Sequence, residues 1–388
     1  LLHPQFRDEP GSRPAAPGEA MPDIPEKMDA REYALRKAIE AALFYLSEME
    51  MAQEHISPES FPFIRDRFDR EHAEALEGRL KDLERAGPLP GAEDLHETMT
   101  HVLRHLDASC EAFCGSPGRP NPMLILKSFR LSNDALGHLY PLRKRLPGVA
   151  HFFLSPAVLD RKVALDPDVS EKPGGAPLGL IHEEAAPGRG ARSLYVPEYY
   201  IDTHAWPLIV ALHGGNGEGE HFIWAWLREA KSRGYLLAAP SSAAGTWSPD
   251  DDAAVTGIVD EMAARYNVDR ARVLLTGMSD GATFSFIFGL AHPDVFTALA
   301  PLCGVLHPAI LTQGYLEHGK NLPIYLVHGA KDWLFPIEQA RMAAKVLAER
   351  KIDHVWRELP DHSHAYPRSE NDRILDWFES RQKKRVTN

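Results

Sequence analysis

The residues best suited to chemistry are a serine set between glycines. Gly277-Met278-Ser279-Asp280-Gly281 follows the apolar run Val273-Leu274-Leu275-Thr276 and precedes the helix-like Ala282-Thr283-Phe284-Ser285-Phe286-Ile287. Small neighbours let a serine sit on a strained strand-to-helix turn, with Oγ exposed at the strand's carboxyl end and the helix N-terminus favouring developing negative charge. A second glycine cluster, His213-Gly214-Gly215-Asn216-Gly217, follows the run that ends at Leu212. Glycines there let backbone N–H groups converge on an oxyanion. The cluster lacks the Gly-Lys-Ser/Thr ending of a phosphate-binding loop and the G-x-G-x-x-G spacing, which argues against a phosphate cradle. The expected oxyanion donors are the N–H groups of Asp280 and of the Gly214–Gly215 turn. His213 reads as a brace for that loop.

A serine becomes a nucleophile only beside a base, and the base needs an orienting group. Pro323-Ile324-Tyr325-Leu326-Val327 runs into His328-Gly329-Ala330-Lys331-Asp332, a turn that presents a carboxylate. The apolar stretch near 354–359 leads to Asp361-His362-Ser363-His364 before a final helix. Spacing alone does not choose between His362 and His364. Tyr366-Pro367 can fix the loop just after His364, and Asp361 offers His362 an ordinary surface partner. Both points favour His364 as base, with Asp332 orienting it. Trp247 follows the strand-like 235–240; packing is its simpler reading, and a place in the substrate pocket its functional one.

The elements that must position these residues fall into two regions. Residues 1–28 hold six prolines and read as a flexible arm. Over 29–146 the apolar residues recur at helical spacing: Leu35 to Met49, Ile64 to Leu83, Leu95 to Leu106, and about Pro122 to Leu146. Four amphipathic helices with short connections predict a bundle. Residues 147–178, with Pro156, Pro167, Pro173 and Gly174-Gly175, read as a linker. From 179 to 388 eight β-rich runs alternate with helical stretches, and near-continuous apolar runs such as Pro207–Leu212 predict a mostly parallel sheet covered on both faces.

The order serine, aspartate, histidine, each after its own strand, is that of the α/β-hydrolase triad. The segment from about Ser193 to Phe378 resembles the α/β-hydrolase esterases of the phospholipase/carboxylesterase, dienelactone hydrolase and polyhydroxybutyrate-depolymerase-like groups. His213 to Gly217, Asp269-Arg270-Ala271-Arg272-Val273 leading into Gly277 to Gly281, and Gly329 to Asp332 carry the match. The resemblance implies an eight-stranded α/β-hydrolase fold, here preceded by the all-α region, and hydrolysis of carboxylic esters by Ser279, His364 and Asp332. In similar esterases a small residue precedes the base, as Ser363 precedes His364. A serine peptidase or acyltransferase on the same fold, or a binding or scaffold protein using the helical region, are the alternatives. Two departures stand out. Asp280 puts a carboxylate beside the nucleophile, where such esterases often carry Gln, Asn, Ala or Met. Only about 20 residues separate Cys303 from Pro323, too few for a long lid. The helical region or residues 241–252 must then cover the site, and the helical region is also a candidate surface for pairing two chains.

Composition narrows the rest. The 388 residues are 44% hydrophobic and 25% charged, the profile of an ordinary globular chain. Net charge is −12, −6 from residues 1–150 and −6 from 151–388, so no basic face invites nucleic acid. No apolar run is long enough to span a bilayer. Cys110, Cys114 and Cys303 read as reduced thiols, the first two on one helix face. With no basic-then-apolar leader pattern at Leu1-Leu2-His3-Pro4, this predicts the cytoplasm. Neither cofactor nor metal is expected. His96-Glu97-Thr98-Met99-Thr100-His101 is one residue too long for the zinc-binding H-E-x-x-H, and Glu93-x-x-His96 lacks a second copy within residues 29–146, Asp69-x-x-His72 being the nearest approach there.

Overall fold

The computed structural model describes residues 28–115, 120–167, 170–172, 174–186 and 189–386. Nearly all of the proline-rich arm, and Pro173 of the expected linker, lie outside them. The first region is helical: α1 (Ala30–His55), α2 (Phe61–Phe68), α3 (Glu74–Ala86), α4 (Glu93–Cys114) and α5 (Pro122–Leu139). Asp29 caps α1 by accepting the N–H of Arg31, and Asn121 caps α5 by accepting that of Met123. One continuous helix was expected over Ile64 to Leu83; a π-helical stretch, Asp69–Ala73, divides it into α2 and α3. The linker is also more ordered than its prolines suggest. It holds α6 (Pro147–Phe152), a 3-10 stretch (Pro156–Arg161) and α7 (Lys162–Leu165), with Pro147 and Pro156 opening the first two, where a missing N–H costs nothing.

The eight strands are β1 (Gly179–Glu183), β2 (Arg192–Val196), β3 (Trp206–Leu212), β4 (Leu236–Pro240), β5 (Val268–Met278), β6 (Ala298–Leu302), β7 (Ile324–Gly329) and β8 (His354–Leu359). They form one sheet in the order β1-β2-β4-β3-β5-β6-β7-β8. β2 runs antiparallel to both neighbours, and the strands from β4 to β8 are parallel. The intervening helices are α8 (Gly219–Phe222), α9 (Leu227–Arg233), α10 (Asp252–Arg265), α11 (Asp280–Ala291), α12 (Pro308–Thr312), α13 (Tyr315–His318), α14 (Ile337–Glu349) and α15 (Asn371–Val386).

Strand alternation divides the core between the two faces. Leu208, Val210 and Leu212 of β3 pack with Val255 and Ile258 of α10, Phe286 of α11 and Leu347 of α14. Ile209 and Ala211 point the other way, toward Leu227 of α9 and Ile374 and Phe378 of α15. That second cluster continues without a break into Leu46, Phe113, Leu139 and Phe153 of the helical region. The helices therefore share a core with one face of the sheet.

Charge crosses the same boundary. Glu198, 3% exposed, takes four donors: Tyr140 Oη (2.7 Å) and Arg143 Nη2 (2.5 Å) on one oxygen, Tyr195 Oη and Lys231 Nζ (both 2.9 Å) on the other. Lys231, fully buried, also donates to Asp166 Oδ1 and to the carbonyl of Leu165, while Arg143 Nε reaches Asp166 Oδ1 at 2.7 Å. Burial pushes the Glu198 carboxyl up, but Lys231, Arg143 and the hydrogen bonds outweigh it and hold the group below the usual carboxylate range.

Candidate active site

Parallel strands put their carboxyl ends on one edge of the sheet, where α/β folds carry their sites. The register pairs Leu212 of β3 with Gly277 of β5, so the loop after β3 lies beside the turn after β5. Ser279 occupies that turn at φ 58°, ψ −117°, and its N–H donates to Leu302 of β6. A non-glycine residue in this region is strained and persists only where its surroundings impose it. Here they do: a Cβ at Gly281 would come within 2.4 Å of the carbonyl oxygens of Leu212 and His213, so the chain after Ser279 is packed against the neighbouring loop. A Cβ at Gly214 would lie 3.5 Å from that of Ser279.

The loops after β7 and β8 are zipped together in the same way. Lys331 N–H donates to the His362 carbonyl at 2.8 Å, and a Cβ at Gly329 would meet that carbonyl at 2.4 Å. This contact brings Asp332 and His364 together. His364 Nε2 lies 2.9 Å from Ser279 Oγ, and its Nδ1 lies 2.8 Å from Asp332 Oδ2. Asp332 Oδ1 accepts the N–H groups of Leu334 (2.9 Å) and Phe335 (2.7 Å). His328 Nε2, fully buried, is 3.2 Å from Oδ2. Burial pushes the Asp332 carboxyl up; the bonds from His328, His364 and Phe335 prevail and hold it far below the usual range. A carboxylate so held orients the imidazole with Nδ1–H toward itself and leaves Nε2 free to take the serine proton.

His362 is placed elsewhere. Its Nε2 lies 3.4 Å from Glu54 of α1, while Asp361, the expected partner, pairs with Lys331 instead. His213 is buried; its Nδ1 donates to the Gly214 carbonyl (2.7 Å) and its Nε2 accepts the N–H of Ser242 (3.0 Å). It ties the loop after β3 to residues 241–252, and burial lowers its pKa, which keeps the ring neutral in that role.

Two sequence readings need correction or completion. Trp247 does not line the cavity beside Ser279. Its indole Nε1 donates to the His213 carbonyl at 2.8 Å and its ring packs on His213, 4.8 Å between centroids, so it supports the loop after β3. Asp280 turns its carboxylate away along this same support, with Oδ2 accepting the Trp247 N–H at 2.7 Å. Burial raises the Asp280 pKa, partly offset by that bond.

The cavity itself has a volume of about 250 Å³. Gly214, Met278 and His364 form its floor, Phe222, Trp224 and Tyr366 one side. The other side comes from the helical region: Gln53 and Ile56 at the end of α1, and Leu126, Phe129, Arg130 and Asn133 on α5. Sequence reasoning named that region as a candidate cover but none of these residues. The i, i+3, i+4, i+7 spacing of Leu126, Phe129, Arg130 and Asn133 marks one helix face without showing what it faces.

Among the described residues one group of potential metal ligands, Glu48, Glu71 and His72, draws close. Arg67 already pairs with Glu48 (2.6 Å) and Glu71 (3.2 Å), and burial lowers the His72 pKa to about 4. His96 instead bonds the Leu83 carbonyl, and His101 and His105 pack against His138. Cys110 and Cys114 are free thiols with sulfurs 3.9 Å apart.

Residues 249–380 match the family model described as Phospholipase/Carboxylesterase. Among curated proteins, the bifunctional acetylxylan esterase/xylanase XynS20E of Neocallimastix patriciarum is 30% identical over 142 residues, 34% of this chain and 20% of that protein. The poly(3-hydroxyalkanoate) depolymerase C of Paucimonas lemoignei is 27% identical over 114 residues, 25% of this chain and 28% of that one. Feruloyl esterase B of Talaromyces funiculosus is 27% identical over 143 residues, 33% and 40% respectively. The chain thus spans less than half the length of each of these relatives. No helix among the described residues is long and apolar enough to cross a membrane. Taken with the sheet order and the serine turn, these matches identify the second half of the chain as an α/β-hydrolase fold that resembles the phospholipase/carboxylesterase group of esterases.

Proposed function

We propose that this protein is a serine hydrolase that cleaves small-molecule carboxylic esters through an acyl-enzyme. The observation that carries the reading is the unbroken hydrogen-bonded line from Ser279 Oγ through His364 to Asp332, with both contacts under 3 Å. His364 Nε2 takes the Ser279 proton as Oγ attacks the ester carbonyl, and Asp332 stabilises the imidazolium that forms. The N–H groups of Asp280, at the start of α11, and of Gly214–Gly215 receive the oxyanion. Collapse expels the alcohol, which takes its proton from His364. Water, deprotonated by the same imidazole, then attacks the acyl-Ser279 ester and releases the acid.

No cofactor enters this scheme. The apolar and aromatic wall of Phe129, Phe222 and Trp224 suits an ester carrying an aryl or alkyl group, in keeping with the feruloyl esterases among the relatives. The three free thiols support a reducing, cytoplasmic setting. The helical region is read as a wall of the substrate site. Turnover of p-nitrophenyl esters of increasing chain length, beside a feruloyl ester and an amide, tests the activity and its range. A covalent serine inhibitor should label Ser279 and abolish turnover, and Ser279→Ala should lower kcat by about 10⁴-fold or more. Retention of a tenth of the activity in that variant refutes the reading.

A further inference from the structure

One strongly charged residue on the cavity wall has no part in the hydrolytic steps. Arg130 reaches from α5 to the loop after β3, where its Nη2 donates to the carbonyl of Asn216, itself at φ 57°. Among the described residues no carboxylate pairs with it, and its Nε is buried without an acceptor. A guanidinium left incompletely paired in a partly enclosed site is costly, and native structures rarely keep one without a reason. The other arginine on the wall is used up: Arg368 Nη1 donates to the carbonyls of Trp224 (3.1 Å) and Ala225 (3.4 Å), and Glu50 lies 3.9 Å away. The single carboxylate on the wall, Glu218, has its side chain 53% exposed and lies 3.7 Å from His221 Nδ1. Arg130 is thus the cation facing this cavity that still lacks a counter-charge.

We propose that Arg130 is a specificity residue that binds a carboxylate on the part of the substrate seated in the cavity, so that the preferred substrates are anionic half-esters. This rests on the ester-hydrolase reading and names the substrate class for it. A guanidinium matches a carboxylate in geometry as well as charge, and its two parallel N–H groups can grip both carboxylate oxygens. A carboxylate on the acyl side gives the monoester of a dicarboxylic acid; on the other side, the ester of a carboxylated alcohol or phenol.

Two matched pairs of esters test this with the full chain. In the acyl arm mono-p-nitrophenyl glutarate is compared with p-nitrophenyl valerate; in the alcohol arm m-carboxyphenyl butyrate is compared with phenyl butyrate. In one arm the anionic ester should show kcat/KM about tenfold or more above its neutral match. Arg130→Gln should bring that ratio to about one, and Arg130→Lys, which keeps a point charge without the fork, should leave an intermediate ratio. Ratios at or below one in both arms overturn the proposal. So does a ratio that Arg130→Gln leaves unchanged while both esters slow together, because Arg130 then only pins Asn216. If no ester is turned over but a fluorophosphonate labels Ser279, the substrate class alone is wrong. If Ser279 resists labelling as well, the hydrolase reading fails with it.

Discussion

Glu198 and Asp332 are both buried carboxylates held below the usual range, both beside cationic or histidine partners, and both on loops that follow strands. Around Glu198 the donors close on themselves. Its two oxygens take four hydrogen bonds, and Lys231 spends its three protons on Asp166, Glu198 and Leu165. Around Asp332 the line stays open, running to Ser279 Oγ through His364, which itself lines a cavity. Perturbed pKa values alone do not separate the two, since structural ion-pair networks shift them as well. What separates them is where the network ends. One clamps the helical region to the sheet; the other ends where a substrate can reach it.

The comparison breaks first at the histidines. His364→Ala should lower kcat by about 10⁴-fold, whereas His362→Ala, which removes a partner of Glu54 and a ring contact with His55, should cost less than about tenfold. Both variants should melt near the wild type, as read by circular dichroism. The reverse ranking in two folded proteins would place the base at His362 and undo the open-line argument.

Next comes the closed network. Glu198→Gln keeps the shape but leaves the two buried cations, Lys231 and Arg143, to share the single charge of Asp166, and breaking a buried pair this way costs about 3–5 kcal/mol. Stability to urea should fall by that amount while kcat per folded molecule changes little. The pH sign follows from the lowered carboxyl. A group whose folded pKa lies below its unfolded one, near 4.3 for glutamate, stabilises the fold at neutral pH. That contribution is lost as pH falls through the folded value. The wild type should therefore lose stability on acidification below about pH 5, and the variant should lose less over that interval. An equal acid slope in both would mean that Glu198 is not ionised in the fold.

The two clusters also differ in how far the sequence reveals them. The serine turn is legible because its demands are local: glycines at fixed offsets, a strand before and a helix after. Asp332 and His364 follow from strand order. The Glu198 network is invisible at that level, for Tyr140 and Arg143 reach Glu198, and Asp166 reaches Lys231, across 55 to 65 residues and form no motif. The wall from α1 and α5 is hidden for the same reason, since amphipathic spacing shows which face is apolar but not its partner. Trp247 shows the converse limit. Its strand places it near the site, yet the direction of its ring depends on the His213 carbonyl, which no spacing encodes.

The smallest expected effect bears on the residue where the chain departs from its relatives' pattern. In the proposed mechanism Asp280 offers its N–H to the developing oxyanion while its own carboxylate stands one residue from the nucleophile. That charge is tolerated because Oδ2 is anchored on the Trp247 N–H at 2.7 Å, and burial shifts its pKa upward. Asp280→Asn keeps an acceptor for Trp247 and removes the charge, so the oxyanion meets less repulsion. We expect kcat to rise on the order of twofold to fivefold at neutral pH, the scale of a partly screened charge at this range. Protonation of Asp280 abolishes the charge in the wild type, so the gap between the two proteins should be full at neutral pH and close as pH falls toward the raised Asp280 value. Asp280→Ala, which loses the anchor as well, should instead slow the enzyme by loosening the loop that His213 and Trp247 hold. A fall in kcat for Asp280→Asn, with the fold intact, would show that the negative charge itself holds this loop, and that the departure is part of the site's construction.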